Sequence, residues 1–225
     1  MKHQRKFGRL CLVALLVSTV FGCVYYNTFY NALKRYQAAE QKRQEAEARP
    51  DSRQAAQAYQ ALYMSAIRKA SVVLGRHSKS KWVDDSLLLI GKAFYWRRQY
   101  NEALLKFQEL QENFPKSELI EESLYWQGLT LWRSERTDEA RGILETVARL
   151  SNPTFSLKAQ LALAELEAGE GNYEAATQAY HHLLSQIKQK KLRAKIWKGL
   201  GNAYFQLKND GEALQAYTHV LTSNP

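Results

Sequence analysis

The stretch 197–217 reads WKGLGNAYFQLKNDGEALQAY, and its spacing decides the fold. Gly201 and Ala213 stand 12 positions apart, with Trp197, Tyr204 and Tyr217 around them. Small residues at two such places let paired helices approach closely, where a larger side chain would force them apart. The large rings fill the space beside that contact. Asp210 precedes the second helix and can cap it. Pro225 stops that helix, since proline lacks an amide hydrogen and clashes with the preceding turn. The stretch therefore predicts two antiparallel helices.

Outward from it the same register recurs. Gly91, Gly128, Ala164 and Gly201 form one column, Ala103, Ala140, Ala176 and Ala213 a second, and Phe107, Leu144, Tyr180 and Tyr217 a third. The first-to-second step is 12 in all four units. The unit from Asp84 adds Leu87, Ile90, Phe94 and Pro115; the next has Leu124, Leu131 and a shifted Pro153, and the third lacks the proline. Asn172 precedes a second helix as a candidate cap, and an earlier hairpin would use Ala66, Ala70 and Val73 on its second helix. One hairpin cannot bury its apolar face alone, so stacked neighbours must supply stability. Hairpins are expected at about 52–78, 84–117, 121–153, 157–190 and 194–225, within a repeat region spanning 51–225.

This register matches the tetratricopeptide pattern of Trp, Leu-Gly, Tyr, Ala, aromatic and Pro. The resemblance implies an all-α, right-handed superhelical solenoid of stacked antiparallel hairpins. The step from Ala103 to Gly128, and from Ala176 to Gly201, is 25, whereas the usual repeat of about 34 leaves about 22. Nearly one extra turn is expected in the second helix or the turn after it. Longer units of this kind resemble BamD-like outer-membrane lipoproteins and periplasmic repeat proteins of the Tol-Pal region, as do the segments 25–32 and 80–85.

Composition agrees. Gly (11) and Pro (4) are sparse in 225 residues, and few runs alternate with a period of two. The two cysteines, Cys11 and Cys23, both lie near the N-terminus, which excludes a disulfide framework and a cysteine-ligated zinc site in the body.

The first residues form an address and an anchor. Met1 to Arg9 carries four basic side chains, Leu10 to Phe21 is apolar, and Gly22-Cys23 closes the segment. That is a secretory signal peptide at 1–22, with an apolar core too short to span a bilayer. A short buried helix or a retained membrane anchor is the other reading. Val20-Phe21-Gly22-Cys23 resembles the lipobox of bacterial lipoproteins. The resemblance implies diacylglycerol on the Cys23 thiol, cleavage just before it, and a further acyl chain such as palmitate. Two chains make such attachment lasting. Val24 stands where Asp would favour the inner membrane, so the resemblance points to the periplasmic face of the outer membrane. The rings at 24–30 suit either the headgroup zone or packing on the first helices. Residues 23–50 read as a lipidated tether and a polar lead-in helix, ended by Pro50-Asp51-Ser52.

Removing four basic residues with the leader lowers the formal charge from +10 to +6. The longest basic cluster, Lys188 to Lys195, is interrupted, so no nucleic-acid partner is expected. His181 and His182 are adjacent and point apart on a helix, which does not suit chelation. Asp84-Asp85 and Glu121-Glu122 fall where first helices begin, where negative charge is favoured. No phosphate loop, nucleophile elbow or converging carboxylates appear, so no cofactor, metal or catalytic role is expected.

Family groove positions carried onto this sequence select Lys92, Tyr95 and Trp96, then Tyr125, Leu129, Trp132 and Arg133. They continue with Lys158, Leu161 and Glu165, then Lys195, Lys198, Asn202 and Phe205. Trp96 and Trp132 are either binding rings or packing between hairpins. The expected function is a scaffold binding other envelope proteins, such as an outer-membrane β-barrel or its assembly machinery. The alternatives are a pilotin-like assembly factor or the non-catalytic N-terminal part of a larger envelope enzyme. The chain stops where the pattern would start another hairpin, which implies a longer protein or a partner covering that end.

Overall fold

A computed structural model describes residues 27–48 and 53–223. The expected signal peptide at 1–22, Cys23, the rings before Asn27, the break at 50–52 and Pro225 lie outside them. Among the described residues there are ten helices and no strand: α1 (27–48), α2 (Arg53–Arg76), α3 (Val83–Trp96), α4 (Tyr100–Asn113), α5 (Ile120–Arg133), α6 (Thr137–Ala148), α7 (Pro153–Gly169), α8 (Tyr173–Gln186), α9 (Lys190–Gln206) and α10 (Asp210–Ser223). The chain forms two compact units that divide after Ser123.

In the first unit, the expected hairpin at 52–78 is one helix of 24 residues, α2. Tyr63, Ala66, Ala70 and Val73 fall on one helical stripe and are fully buried, with nothing in the middle of the segment to break it. Its partner is α1, which is no polar spacer. Phe29, Ala32, Tyr36 and Ala39 make a buried stripe along it, and Tyr36 meets Tyr63 at 5.6 Å between ring centroids. Phe29 stacks on Trp82 at 5.2 Å, so that ring packs inward. Tyr63 donates to Glu40, which also pairs with Arg43 at 3.0 Å. Burial and the neighbouring Glu40 hold the Tyr63 hydroxyl well above the usual tyrosine range.

Helix α3 is apolar enough to be buried on most sides, including Leu87 to Gly91 and Ala93. It lies against α4 through the expected columns. A methyl added at Gly91 would stand 2.5 Å from the Phe107 ring, and Ala103 is wholly buried. Asp84 and Asp85 occupy the first turn of α3, and Ser117 donates to Asp84 at 2.7 Å. Burial, and then Asp84 beside it, pushes the Asp85 carboxyl up to about 6.

In the second unit, α6, α7, α8, α9 and α10 pack in succession. Gly128 would place a methyl 2.8 Å from Leu144, and Gly201 one 2.7 Å from Tyr217. Tyr180 shares a core with Ala164, Leu183, Ile196 and Leu200. It also reaches into the next hairpin, where a methyl at Gly199 would meet it at 2.7 Å. Arg141 on α6 is tied to Glu167 and Glu170 beside α7, the latter at 2.5 Å. Trp197 stacks on His219 at 4.2 Å.

Four hairpin turns share one geometry. Each has three residues, the middle one in the left-handed region: Arg98 (φ 60°), Glu135 (φ 64°), Gly171 (φ 86°) and Lys208 (φ 59°). The residue after it donates its amide to a carbonyl five positions back, as in Gln99 to Phe94 at 3.0 Å and Asn209 to Tyr204 at 2.9 Å. This is the Schellman closure, which satisfies carbonyls left over at a helix end.

Several local expectations change. Pro153 opens α7 instead of ending α6, and Asn152 caps it by accepting from the Thr154 amide at 3.0 Å. Asn172 holds the cap position of α8, but its side chain donates to Glu167 at 2.8 Å instead. Asp210 lies inside the first turn of α10. The extra residues are not in the second helices, since α4, α8 and α10 all have 14. Between α4 and α5 they form the connector 114–119, held by Ser117 donating to Phe114 at 2.9 Å. Helix α9, with 17 residues against 14 in α3, takes them at its start.

Candidate functional site

The periodicity of α9 sets its polar face. Lys191, Lys195, Lys198, Asn202 and Gln206 recur at intervals of three or four, so they share one side of the helix. The opposite side, with Ile196, Leu200 and Ala203, is buried. Beside that polar face lies an open groove of about 480 Å³ within the second unit. Helix α7 contributes Glu165, Ala168 and Gly169, α8 contributes Tyr173 and Tyr180, and α9 contributes Lys195, Lys198, Asn202 and Gln206. Small residues on α7 and at Gly199 keep the floor open.

Charge is unevenly distributed. Lys195 forms an ion pair with Glu165 at 2.6 Å across the groove. Lys198 is exposed, and among the described residues it has no ion-pair or hydrogen-bond partner. Tyr217 on α10 donates its hydroxyl to Asn202 Oδ1 at 2.9 Å.

Three residues selected from sequence, Lys195, Lys198 and Asn202, thus come together, with Glu165 opposite. Phe205 does not line the groove; it points outward, 60% exposed. Leu161 is buried in the core, because the α7 stripe that carries it packs against α8 and α9. Lys158 stays exposed, its ammonium 4.9 Å from the Phe155 ring.

Around the start of this unit, Tyr125 packs beside Phe155 at 6.0 Å, and Leu129 lies against the core containing Leu144 and Val147. Trp132 is half-buried, and the exposed Arg133 guanidinium stands 5.5 Å from its ring. In the first unit the selected residues are engaged in packing. Lys92 pairs with Glu122 at 2.7 Å, and Tyr95 is buried edge-on to Trp96 at 4.9 Å. One face of Trp96 is covered by the Arg43 guanidinium at 3.6 Å. That cover comes from α1, which repeat spacing does not reach.

Sequence reasoning missed Tyr173, Tyr180, Gly199 and Gln206 as lining. The Gly199-Leu200-Gly201 triplet held a signal: one glycine serves its own hairpin, and the other clears space for Tyr180. His181 and His182 have separate partners, Tyr204 at 2.8 Å and Gln186 at 2.6 Å. Among the described residues, no group of three His, Cys, Asp or Glu side chains is placed to hold a metal ion, and no helix is long and apolar enough to cross a membrane.

Residues 85–117 match the family described as Tetratricopeptide repeat, and residues 120–223 match the family described as Bacterial transcriptional activator domain. No curated protein matches the sequence. Among solved structures, MamA is similar at 21% identity and a TM-score of 0.56, over 72% of this chain and 89% of its own. BtubC (BKLC) from P. vanneervenii is similar at 12% identity and a TM-score of 0.61, over 87% of this chain and 90% of its own. A tetratricopeptide repeat protein from Parabacteroides merdae ATCC 43184 is similar at 17% identity and a TM-score of 0.60, over 89% of this chain and 79% of its own. At these identities the likeness concerns the fold. With hairpins closing on the same three columns and a matched repeat at 85–117, the chain has the fold of stacked tetratricopeptide-type hairpins.

Proposed function

We propose that the protein is a lipid-anchored scaffold of the cell envelope, held at the periplasmic face of the outer membrane through Cys23. It presents the groove of its second unit to other envelope proteins, an outer-membrane β-barrel or its assembly machinery foremost, and acts by binding rather than by catalysis. The observation that carries the binding role is the groove itself. It is an open channel in which repeat spacing and packing bring Lys195, Lys198 and Asn202 together. The anchor rests on the layout of residues 1–23, a basic start, an apolar run and Gly22-Cys23. The transcriptional role in the description of one matched family is not carried over, because an acylated Cys23 holds the chain at a membrane.

An in-cell photo-crosslink from position 206, which lines the groove, followed by mass spectrometry of the captured protein, tests the reading. Capture of an outer-membrane β-barrel or a component of its assembly supports it. Capture of a secretin or a cell-wall enzyme replaces the partner with the pilotin-like or enzyme-associated alternative. No capture by a correctly lipidated protein overturns the groove as the working surface.

A further inference from the structure

We propose that the end of the first unit where α1 begins is a membrane-docking surface, on which Lys34, Arg35, Lys79 and Lys81 meet the headgroups of anionic phospholipids beside the Tyr30 and Trp82 rings. The inference rests on the lipid-anchor reading and names what the folded chain does at that membrane. Three observations lead to it.

The first is place. Four residue steps join Cys23 to Asn27, the first residue of α1, a reach of at most about 14 Å in any conformation. An acyl chain on Cys23 therefore holds the start of α1 close to the headgroup layer. Phe29 stacks on Trp82 at 5.2 Å, which puts the segment joining α2 to α3 at the same end.

The second is charge. Helix α1 divides into two halves. In the second, Lys42 pairs with Glu45 at 2.8 Å, and Arg43 with Glu40 at 3.0 Å and Glu47 at 2.6 Å. The first half holds Lys34 and Arg35 and no carboxylate. Both are exposed, as are Lys79 and Lys81 after α2, and among the described residues none of the four forms an ion pair. Asp84 and Asp85 follow, half-buried in the first turn of α3, where the helix dipole offsets their charge. Cations gathered on one exposed end gain from an anionic surface, about fivefold in affinity for each Lys or Arg brought to it.

The third is the rings. Tyr30 is 37% exposed, and the Lys34 ammonium stands 4.7 Å from its centroid. The Lys81 ammonium stands 4.9 Å from the centroid of the half-buried Trp82. Tyr and Trp rings settle at headgroup level, and long cationic side chains beside them reach the phosphates. One acyl chain alone holds a protein only marginally, and a basic surface supplies a second hold. It also fixes which end of the first unit faces the bilayer, with the turn at Arg98 directed away from it.

The test is co-sedimentation of the mature chain carrying Cys23→Ala, so that no acyl chain contributes. The vesicles contain phosphatidylglycerol with phosphatidylcholine, or phosphatidylcholine alone. The expected result is binding to the anionic vesicles only, at about 0.01 M salt, and its loss near about 0.15 M, as the screening length shortens from about 30 Å to about 8 Å. Lys34→Gln is expected to weaken binding about fivefold, and Gln at all four positions to remove it, with helix content by circular dichroism unchanged. The same change at Lys188, Lys190, Lys191 and Lys208, all exposed on the second unit, leaves most of the binding in place. A polarity-sensitive dye on Tyr30→Cys, then the only thiol of the chain, shifts to the blue on anionic vesicles. Equal binding to neutral vesicles overturns the proposal. So does full binding by the first four-charge variant, equal loss in the second, or tighter binding of an oligothymidylate. Acylation is read separately, by alkyne fatty-acid labelling of the wild-type chain in cells. A labelled Cys23 with no vesicle binding sinks the docking surface and leaves the anchor. Vesicle binding with an unlabelled Cys23 keeps the surface and sinks the anchor.

Discussion

A glycine pressed against a phenyl ring and a glycine facing solvent respond to the same substitution with opposite signs. At Gly91 an added methyl would stand 2.5 Å from the Phe107 ring, so Gly91→Ala is expected to destabilise by about 1–3 kcal/mol, the range for overpacking a core. Phe107→Leu in the same chain should recover part of that loss. At Gly142 nothing lies within 4 Å, so Gly142→Ala is expected to stabilise by about 0.5–1 kcal/mol through helix propensity alone. Urea denaturation of the variants checks both signs. Asp85 makes a pH-dependent prediction. Its carboxyl is raised from 3.8 to about 6, so the folded chain holds that proton more tightly than the unfolded one. The resulting stabilisation is complete below about 3.8 and is lost as pH rises through about 6. Asp85→Asn, which stays neutral, should therefore raise the melting temperature at pH 7.5, with a gain of about 1 kcal/mol after allowance for solvent screening, and give no advantage at pH 4.

At the scale of helices and turns, backbone geometry repeats more faithfully than sequence. Four turns adopt one Schellman closure with Arg98, Glu135, Gly171 and Lys208 at the same left-handed position. A side chain in that region costs roughly 1–2 kcal/mol, partly offset by the lower backbone entropy of a non-glycine residue when unfolded. Glu135→Gly is therefore expected to raise the melting temperature by a few degrees, the equivalent of about 1 kcal/mol. The repeated hairpins were legible because close helix contact restricts single positions to Gly or Ala, a constraint visible in one sequence. The first helix pair was not legible. Tyr63 and Tyr36 fill its core in place of the Gly and aromatic columns, and the many charges of α1 hide a one-residue-wide apolar stripe. The same limit governs the candidate site. Lys195, Lys198 and Asn202 followed from family groove positions carried onto one helix, whereas the covering of Trp96 by Arg43 depends on a contact 53 residues away in sequence. Phe205 failed because groove and outer surface are only about one helical step of 100° apart at that end of α9.

For the molecule as a whole, the proposed anchor and the repeat array make separate predictions. Cys23→Ala is expected to abolish labelling by an alkyne fatty acid and to move the chain from the membrane pellet to the soluble fraction. The hairpins should retain their melting behaviour, because their buried stripes run from Phe29 onward. Loss of folding in that variant would make the N-terminal segment part of the core. The uniform turns have a practical corollary. Past Cys23 the sequence is free of cysteine, and the tips at Glu135 and Lys208 already accept ordinary side chains at positive φ. Paired thiols introduced at those two tips would accept spin labels on the second unit without touching its core. The fold thus carries its own molecular ruler, with which the breathing of the groove can be followed as a ligand enters.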